Sequence, residues 1–234
     1  MNMAAIAKAS LALSIIATSV ATTTPQTVNA SEHKLNYENV TKDIFDLRDY
    51  YSSTSKELKN VTAQRHENSK YSFLRLIENK QKIQVYLAGN DKNKYKEPKN
   101  HGLDIFAVIE KKGKYNTLFS VGGVTKTNIK TGNAFVNSPN LKIKNQSEKG
   151  SFEKEYPYSI QKEEISLKEL DFKLRKHLIE SYGLYKTTSK NGSIRIHMKD
   201  GGYYTFDLKY KLSFKRMGDV IDGTKIKNIE VNLK

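Results

Sequence analysis

Residues 166–183 have the sequence SLKELDFKLRKHLIESYG and predict one long amphipathic helix. Ser166 and Glu169 form a capping box, in which each side chain can satisfy a free backbone N–H group of the first turn. Gly183 follows, and glycine readily takes the left-handed conformation that ends a helix. Leucines recur at helical spacing within this stretch, so one face is apolar and must pack against another element. They are Leu167, Leu170, Leu174 and Leu178.

The segments that follow this helix have the alternation typical of β-strands. Apolar residues occupy every second position in three segments, with polar residues between them. The apolar positions are Ile194-Ile196-Met198, Tyr204-Phe206-Leu208 and Ile229-Val231-Leu233. One capped helix lying across a sheet of such strands predicts an α+β domain.

The chain before residue 121 predicts a small β-barrel or sandwich. A short helix is expected over 39–51, and after it the pattern becomes strand-like, with an almost continuous apolar run over 103–109. The pair Gly122-Gly123 interrupts an apolar strand and precedes a polar, turn-rich stretch over 126–150. The sequence therefore predicts a barrel, a linker and a helix-on-sheet domain.

The first thirty residues predict a secretory signal peptide. They contain one charged side chain, Lys8, followed by a mostly apolar run over 11–20 and the sequence Val28-Asn29-Ala30 before the expected cleavage point. This apolar run is shorter than the roughly 20 residues that a membrane span needs. We therefore expect a secreted chain that begins at Ser31 and does not insert into a membrane.

The charge balance favours negatively charged partners. The 234 residues include 40 Lys and Arg against 25 Asp and Glu, a formal net charge of +15. Acidic proteins and sialylated or sulfated glycans are the expected partner classes, and a basic surface that only aids solubility is the alternative. Nucleic acid is not expected as a partner, because the sequence has no run of five or more Lys or Arg residues.

The residue types needed for catalysis are not arranged in any recognisable motif. The sequence has no Cys, and its five His residues lack metal-ligand spacing. A nucleophile elbow, a phosphate loop and a dinucleotide fingerprint are also missing, whereas a carboxylate pair of the glycosidase type stays open. We expect a protein that is not an enzyme and that uses neither a cofactor nor a metal.

Two motifs resemble signatures of the staphylococcal and streptococcal superantigen superfamily. The longer one consists of Lys162-Glu-Glu-Ile165, Leu170-Asp171, Arg175, Leu178 and Leu184-Tyr185, and the shorter one is Val121-Gly122-Gly123-Val124-Thr125. The chain after the leader is similar to the superantigen-like proteins, an exported immune-evasion group. The resemblance implies an α+β protein with an N-terminal OB-fold β-barrel over 31–123. It also implies a C-terminal β-grasp domain over 124–234, with one long helix on a mixed sheet.

One subgroup of that family binds sialylated glycans of the sialyl Lewis X type, and residues 199–208 with Arg216-Met217 resemble its motif. The resemblance implies that Thr205 and Arg216 contact the sialic acid, beside the backbone of Tyr204. The other implied contacts are Gly202, Tyr203 and, as a supporting residue, Lys209. The alternative interpretation is that Gly201-Gly202 is only a hairpin turn and that Thr205 is an ordinary strand residue.

Physical chemistry supports this site. Alternation predicts that Tyr204, Phe206 and Leu208 are buried, which turns Thr205 to the opposite, solvated face. We expect the Arg216 guanidinium and the Thr205 hydroxyl to hold the sialic acid carboxylate on the exposed side of the sheet.

Three functions stay open at this point. The leading one is a secreted immune-evasion protein that binds sialylated glycoproteins of leukocytes or platelets and blocks receptor function. The second is a protein-interface module that binds immunoglobulin, complement or a host protease through the OB barrel. The third is a superantigen that bridges MHC class II and T-cell receptors. A weak homodimer would give a single-sugar site added avidity.

Overall fold

The structure is a computed structural model that describes residues 44–112, 116–129, 135–147, 150–186 and 192–234. The predicted signal peptide and the start of the first predicted helix lie outside the described residues. Within these ranges the chain forms three α-helices: α1 Ile44–Ser52, α2 Asp91–Lys94 and α3 Leu167–Tyr182. Two 3-10 helices cover Phe214–Gly218 and Gly223–Lys225.

The first half of the chain forms a seven-stranded sheet in the order β5-β6-β3-β2-β1-β4-β7. Its strands are β1 Ser55–Glu67, β2 Ser72–Glu78, β3 Gln81–Tyr86, β4 Lys99–Val108, β5 Lys111–Lys112, β6 Thr117–Val121 and β7 Val124–Lys126. Alternating residues such as Leu74, Ile83 and Val85 are fully buried in its core. Strand β7 lies beyond the boundary expected at 123/124, yet it pairs with β4, so the sheet continues to Lys126.

The second half forms a five-stranded sheet in the order β12-β11-β14-β8-β9 and a small sheet of β10 and β13. The strands are β8 Asn140–Ser147, β9 Gly150–Pro157, β10 Glu164–Ser166, β11 Gly192–Met198, β12 Tyr203–Asp207, β13 Val220–Asp222 and β14 Ile226–Leu233. β14 and β8 are parallel while the other pairs are antiparallel, so the sheet is mixed. Because α3 packs on this sheet in a shared core, the predicted α+β architecture is confirmed.

Helix α3 begins and ends where its sequence predicts. The Ser166 hydroxyl accepts a hydrogen bond from the Glu169 N–H at 3.1 Å, and Gly183 takes the left-handed conformation at φ 69°. The Glu169 carboxylate accepts bonds from Lys162 and Lys173, each at 2.7 Å. The acidic member of the predicted capping box is thus held by two lysines.

The glycine pair brings the two halves of the chain into backbone contact. Gly122 and Gly123 have φ values of 57° and 77°, and the Gly123 N–H donates to the Met217 carbonyl at 2.9 Å. A Cβ on Gly122 would lie 2.2 Å from that same oxygen. Next to this contact the buried Lys168 ammonium donates to the Ser120 hydroxyl and the Val121 carbonyl, and its burial lowers the pKa of Lys168 to about 8. Only glycine at position 122 allows the backbone to come this close to the Met217 carbonyl.

We expect Gly122→Ala to destabilise the chain far more than Gly102→Ala. Both glycines have positive φ, but a Cβ on Gly102 meets nothing within 4 Å. Gly102→Ala therefore costs only the backbone strain, about 1–2 kcal/mol. Gly122→Ala adds a clash with backbone, worth about 1–3 kcal/mol more. Urea unfolding of the two variants measures the difference, and equal losses would contradict it.

Candidate functional site

Strand β12 forms one edge of the five-stranded sheet and is entered through the Gly201-Gly202 turn. The Gly201 N–H donates to the Met198 carbonyl at 3.1 Å, and the Gly202 N–H donates to the Asp200 carboxylate at 3.1 Å. Gly201 has φ 92°, and a Cβ on it would meet nothing within 4 Å. The glycine pair is therefore a hairpin turn, as the alternative interpretation has it, and it leaves open space beside the strand.

The register of β12 decides which backbone groups face the open edge. The Met198 N–H bonds to the Gly202 carbonyl, and the Leu208 N–H bonds to the Gly192 carbonyl. In an antiparallel pair such bonds recur at every second residue, so the even-numbered residues of β12 point their backbone groups at β11. Thr205 consequently turns its backbone groups to the open edge. The Tyr204 backbone lies in the ladder, on the side away from that edge, which corrects the role expected for it.

Arg216 is buried beside this edge and bonds to it. It belongs to the 3-10 helix Phe214–Gly218, and its Nη1 donates to the Thr205 carbonyl at 3.0 Å. Its guanidinium lies 5.7 Å from the centre of the Phe206 ring, and the residue is only 3% exposed. The expectation of a guanidinium on the exposed side of the sheet is thus wrong. The reason is that Met217 of this 3-10 helix contacts Gly122 and Gly123, which holds the helix against the first half of the chain.

Burial lowers the pKa of the Arg216 guanidinium, while Asp219 at 4.0 Å raises it. Among the residues that the structure describes, several buried polar atoms at this edge have no hydrogen-bond partner. They are Nε and Nη2 of Arg216, Oγ1 of Thr205 and Oγ of Ser213. Each such group costs about 1–3 kcal/mol, and folded proteins keep few of them. The edge therefore holds hydrogen-bond donors suited to an anion.

The outer face of the sheet presents a second guanidinium that the sequence analysis missed. Arg195 lies directly opposite Thr205 in the β11–β12 pair and is exposed. Its guanidinium carbon lies 4.8 Å from the centre of the Tyr203 ring. Opposite residues of an antiparallel pair share a face, so Arg195 and Thr205 point to the same side. Pairing the two predicted strands about the Gly201-Gly202 turn would have shown this contact.

The remaining predicted residues lie around the same edge. Tyr203 is half-buried and Gly202 is buried in the turn. Tyr204 is half-buried against the core rather than fully buried, since it lies near the start of an edge strand. Lys209 follows the strand and is exposed, and its N–H donates to the Asp207 carboxylate at 2.9 Å. The structure thus places five of the predicted residues in or beside β12 and brings Arg216 to that strand, but Tyr204 turns its backbone to β11 and packs against the core.

A buried guanidinium fixes the far end of β12. Arg175 of α3 donates to the Asp207 and Leu208 carbonyls at 3.0 and 3.2 Å. Its Nε donates to Asp171 at 2.7 Å, and that carboxylate also accepts the Tyr51 hydroxyl of α1. The edge strand is therefore held by both helices. Within the described parts of the chain, no group of three His, Asp or Glu residues is placed to hold a metal ion.

Comparison with known protein families places this chain. A model described as a staphylococcal superantigen-like OB-fold domain matches residues 45–128, and one described as a staphylococcal/streptococcal toxin, beta-grasp domain, matches residues 138–233. The chain belongs to the staphylococcal superantigen-like family. The resemblance and the order of an OB barrel followed by a β-grasp domain are confirmed. Members of this family are binding proteins, so the chain is not an enzyme.

Individual family members are similar over the whole chain. Staphylococcal superantigen-like 5 of Staphylococcus aureus is 53% identical over 234 residues and is matched along its full length, as is this chain. Staphylococcal superantigen-like 10 of the same species is 46% identical over 237 residues, again with full coverage of both chains. In the described residues, no helix is both long and apolar enough to cross a membrane.

A crystal structure of the superantigen-like 5 protein complexed with sialyl Lewis X matches with a TM-score of 0.79 and 46% identity. The match covers 82% of this chain and 100% of that one. A superantigen-like protein from Staphylococcus aureus called SET3 matches with a TM-score of 0.78 and 48% identity, covering 85% of this chain and 99% of that one. Of these two structures, that of the superantigen-like 5 protein contains sialyl Lewis X.

A buried carboxylate lies behind the 3-10 helix that carries Arg216. Asp91 is 1% exposed, and a Cβ on Gly218 would lie 2.8 Å from its Oδ2. Neither carboxylate oxygen has a hydrogen-bond partner. Burial raises the pKa of Asp91 to about 8, aided by Asp219 and opposed by Lys94. Asp91 is therefore protonated in the folded chain at neutral pH.

We expect Asp91→Asn to remove a pH dependence of stability. Between the unfolded pKa near 4 and the folded value, the native state holds one more proton than the unfolded state. The free energy of unfolding then falls by about 1.4 kcal/mol per pH unit as pH rises through this window. Urea unfolding at pH 5, 6 and 7 measures this slope, taking wild type minus variant. A difference that is constant with pH contradicts the assignment.

Proposed function

We propose that this chain is a secreted immune-evasion protein that binds sialylated host glycans through the open edge of β12. The proposed ligands are of the sialyl Lewis X type on leukocyte or platelet glycoproteins, whose receptor function the bound protein blocks. One observation carries the proposal. The edge keeps two buried guanidinium nitrogens of Arg216 and the Thr205 hydroxyl without a hydrogen-bond partner. The relative that is crystallised with sialyl Lewis X supports it.

The chemistry of sialic acid fits these groups. Its carboxylate stays ionised at physiological pH and can accept two parallel bonds from Nε and Nη2 of Arg216, as carboxylates do from guanidinium groups. The Thr205 hydroxyl and the backbone at the open edge supply further contacts. These polar atoms already lie out of water in the free protein. A glycan carboxylate therefore reaches them only after the side chains that cover them move, and this movement is part of the proposal.

Residues of the outer face complete the proposed site. Arg195 gives a second, exposed positive charge opposite Thr205, and Tyr203 beneath it offers a flat, semi-polar ring to a sugar face. The exposed Lys209 adds a charge at the end of the strand. In this arrangement Arg216 holds the carboxylate from inside, and Arg195 draws the anionic sugar in from solvent.

The consequence for a cell surface follows from charge and valency. A formal charge of +15 attracts a protein to sialylated glycoproteins. A contact with a single sugar is weak. Many copies of this protein must therefore bind the glycans of one glycoprotein to cover its surface. The leader expected over 1–30 delivers the chain to the outside, where such glycoproteins are found.

We expect Thr205→Pro to weaken glycan binding strongly and preserve the fold. Proline removes the hydroxyl and the N–H at the open edge, whereas the even-numbered residues make the bonds to β11. A hydrogen bond to a charged group contributes about 1.5–3 kcal/mol, so affinity for sialyl Lewis X falls about tenfold or more. Calorimetry measures the affinity, and circular dichroism checks the fold. Undiminished binding of the wild type to sialidase-treated leukocytes would sink the proposal.

We expect alanine substitutions of Arg195 and Arg216 to have different effects on glycan affinity and on stability. Arg195→Ala lowers glycan affinity with little effect on stability, because this side chain is exposed and contacts a surface ring. Arg216→Ala lowers affinity and also changes stability, because it leaves a buried cavity and a Thr205 carbonyl without its donor, and at the same time removes two unpartnered nitrogen atoms. Arg75→Ala is the matched control, since Arg75 also lies over an aromatic ring but in the barrel domain. Wild-type stability of Arg216→Ala would contradict its buried role.

A further inference from the structure

The barrel sheet carries a ladder of rings on the face opposite its core. His66, Phe73, Tyr86 and Phe119 come from four neighbouring strands, with successive ring centres 5.5, 5.7 and 6.1 Å apart. Tyr71, just before β2, contacts Tyr86 edge-on at 5.5 Å. We call this surface the aromatic face. Its members are Gln64, His66, Tyr71, Phe73, Arg75, Ile77, Lys82, Gln84, Tyr86, Thr117 and Phe119.

The strand register makes this face continuous. Phe73 pairs with His66 on one side and with Tyr86 on the other, and Arg75 pairs with Gln64 and Gln84 in the next row. Paired residues share a face, so rings and polar groups form parallel rows across the strands. The intervening residues, Leu74 and Ile83 among them, point into the core.

Much of this face is open to solvent. Tyr71 is 54% exposed and Ile77 is 70% exposed, while the rings of Tyr86 and Phe119 are half-buried by their neighbours. Phe73 is buried at the centre of the ladder, and the Arg75 guanidinium lies 5.4 Å from its ring centre. Since stacked rings cover parts of each other's faces, a flat ligand can reach Tyr71 and the exposed parts of Tyr86 and Phe119.

The charges on the aromatic face have one sign. At neutral pH its charged members are Arg75 and Lys82, since burial and the charge of Arg75 lower the pKa of His66, and none of the described strand residues on this face is acidic. A ligand that matches it has negative charge and flat units that stack on rings. Sulfated glycans match the charge alone. Single-stranded nucleic acid matches both, because phosphates meet the cations and every base has a face that stacks on an aromatic ring.

We propose that the aromatic face binds single-stranded nucleic acid without sequence preference. The outer face of the second and third strands is where OB barrels receive extended oligomers. The expectation of no nucleic-acid partner rested on the lack of a contiguous basic run and on the predicted secretion of the chain, and this proposal answers the first of these grounds. The cations and rings come from segments separated along the chain and meet only through strand pairing, so no run could reveal them.

Binding of a fluorescein-labelled oligothymidylate to the mature chain tests this proposal. A strand of about 15 nucleotides spans one barrel, and fluorescence anisotropy gives its Kd at several salt concentrations. We expect Tyr71→Ala and Phe119→Ala each to weaken binding about tenfold, as loss of one base stack does. We expect Arg75→Ala to reduce the slope of log K against log salt by about 0.7, the value for one phosphate contact on a single strand.

Arg195→Ala is the matched control. It removes the same charge from the other domain and should leave oligothymidylate binding unchanged, just as Arg75→Ala should leave sialyl Lewis X binding unchanged. Equal losses for Arg75→Ala and Arg195→Ala would show general attraction to a basic chain and overturn the proposal. Wild-type Kd for both ring variants, with folding verified by urea unfolding, would also overturn it. So would equally tight binding of heparin that the ring variants do not weaken.

Discussion

The buried guanidinium of Arg175 is the contact on which the geometry of the second domain depends. Burial lowers the pKa of this group, but the charge of Asp171 raises it well above its ordinary value, so the cation persists in the core. Its N–H groups donate to Asp171, to the Tyr185 hydroxyl and to the two carbonyls at the end of β12. The Tyr51 hydroxyl donates to the same carboxylate, and this ties α1 to α3. A single ionic network thus connects the first helix, the long helix and the edge strand. Removal of either charge would leave the other unpaired in the core, a change that is strongly destabilising.

The second constraint is the close approach of two backbones at the glycine pair. Gly123 bonds to the Met217 carbonyl, and Gly122 leaves no room for a side chain there. This contact holds the 3-10 helix against the barrel, and Arg216 of that helix donates to the Thr205 carbonyl. The candidate site therefore depends on both domains, although its residues belong to the second. The unpartnered polar atoms at the edge are a stability cost, and the anion site that we propose gives that cost a physical reason.

The two domains present different surfaces to solvent. The β-grasp sheet offers an edge with fixed donors for a small anionic group, and the barrel offers a flat face with rings in rows. Both surfaces carry positive charge, in keeping with the net charge of the whole chain. They lie on separate sheets and use different contacts, namely hydrogen bonds at the edge and stacking on the face. A substitution in one surface therefore leaves the other intact, since distant sites without shared partners act additively.

Elements whose signals are local can be read from the order of the amino acids. Ser166 and Gly183 fixed the ends of α3, alternation located the strands around Ile194 and Phe206, and motif resemblance named the family and the residues of the edge. Tertiary structure alone decided what depends on register and on contacts between distant segments. It buried Arg216, set the Tyr204 backbone in the ladder, placed Arg195 opposite Thr205 and assembled the aromatic face from four strands. The physical reason is that period and capping act over a few residues, whereas burial is set by whichever segment packs on top, and that segment can lie anywhere in the chain.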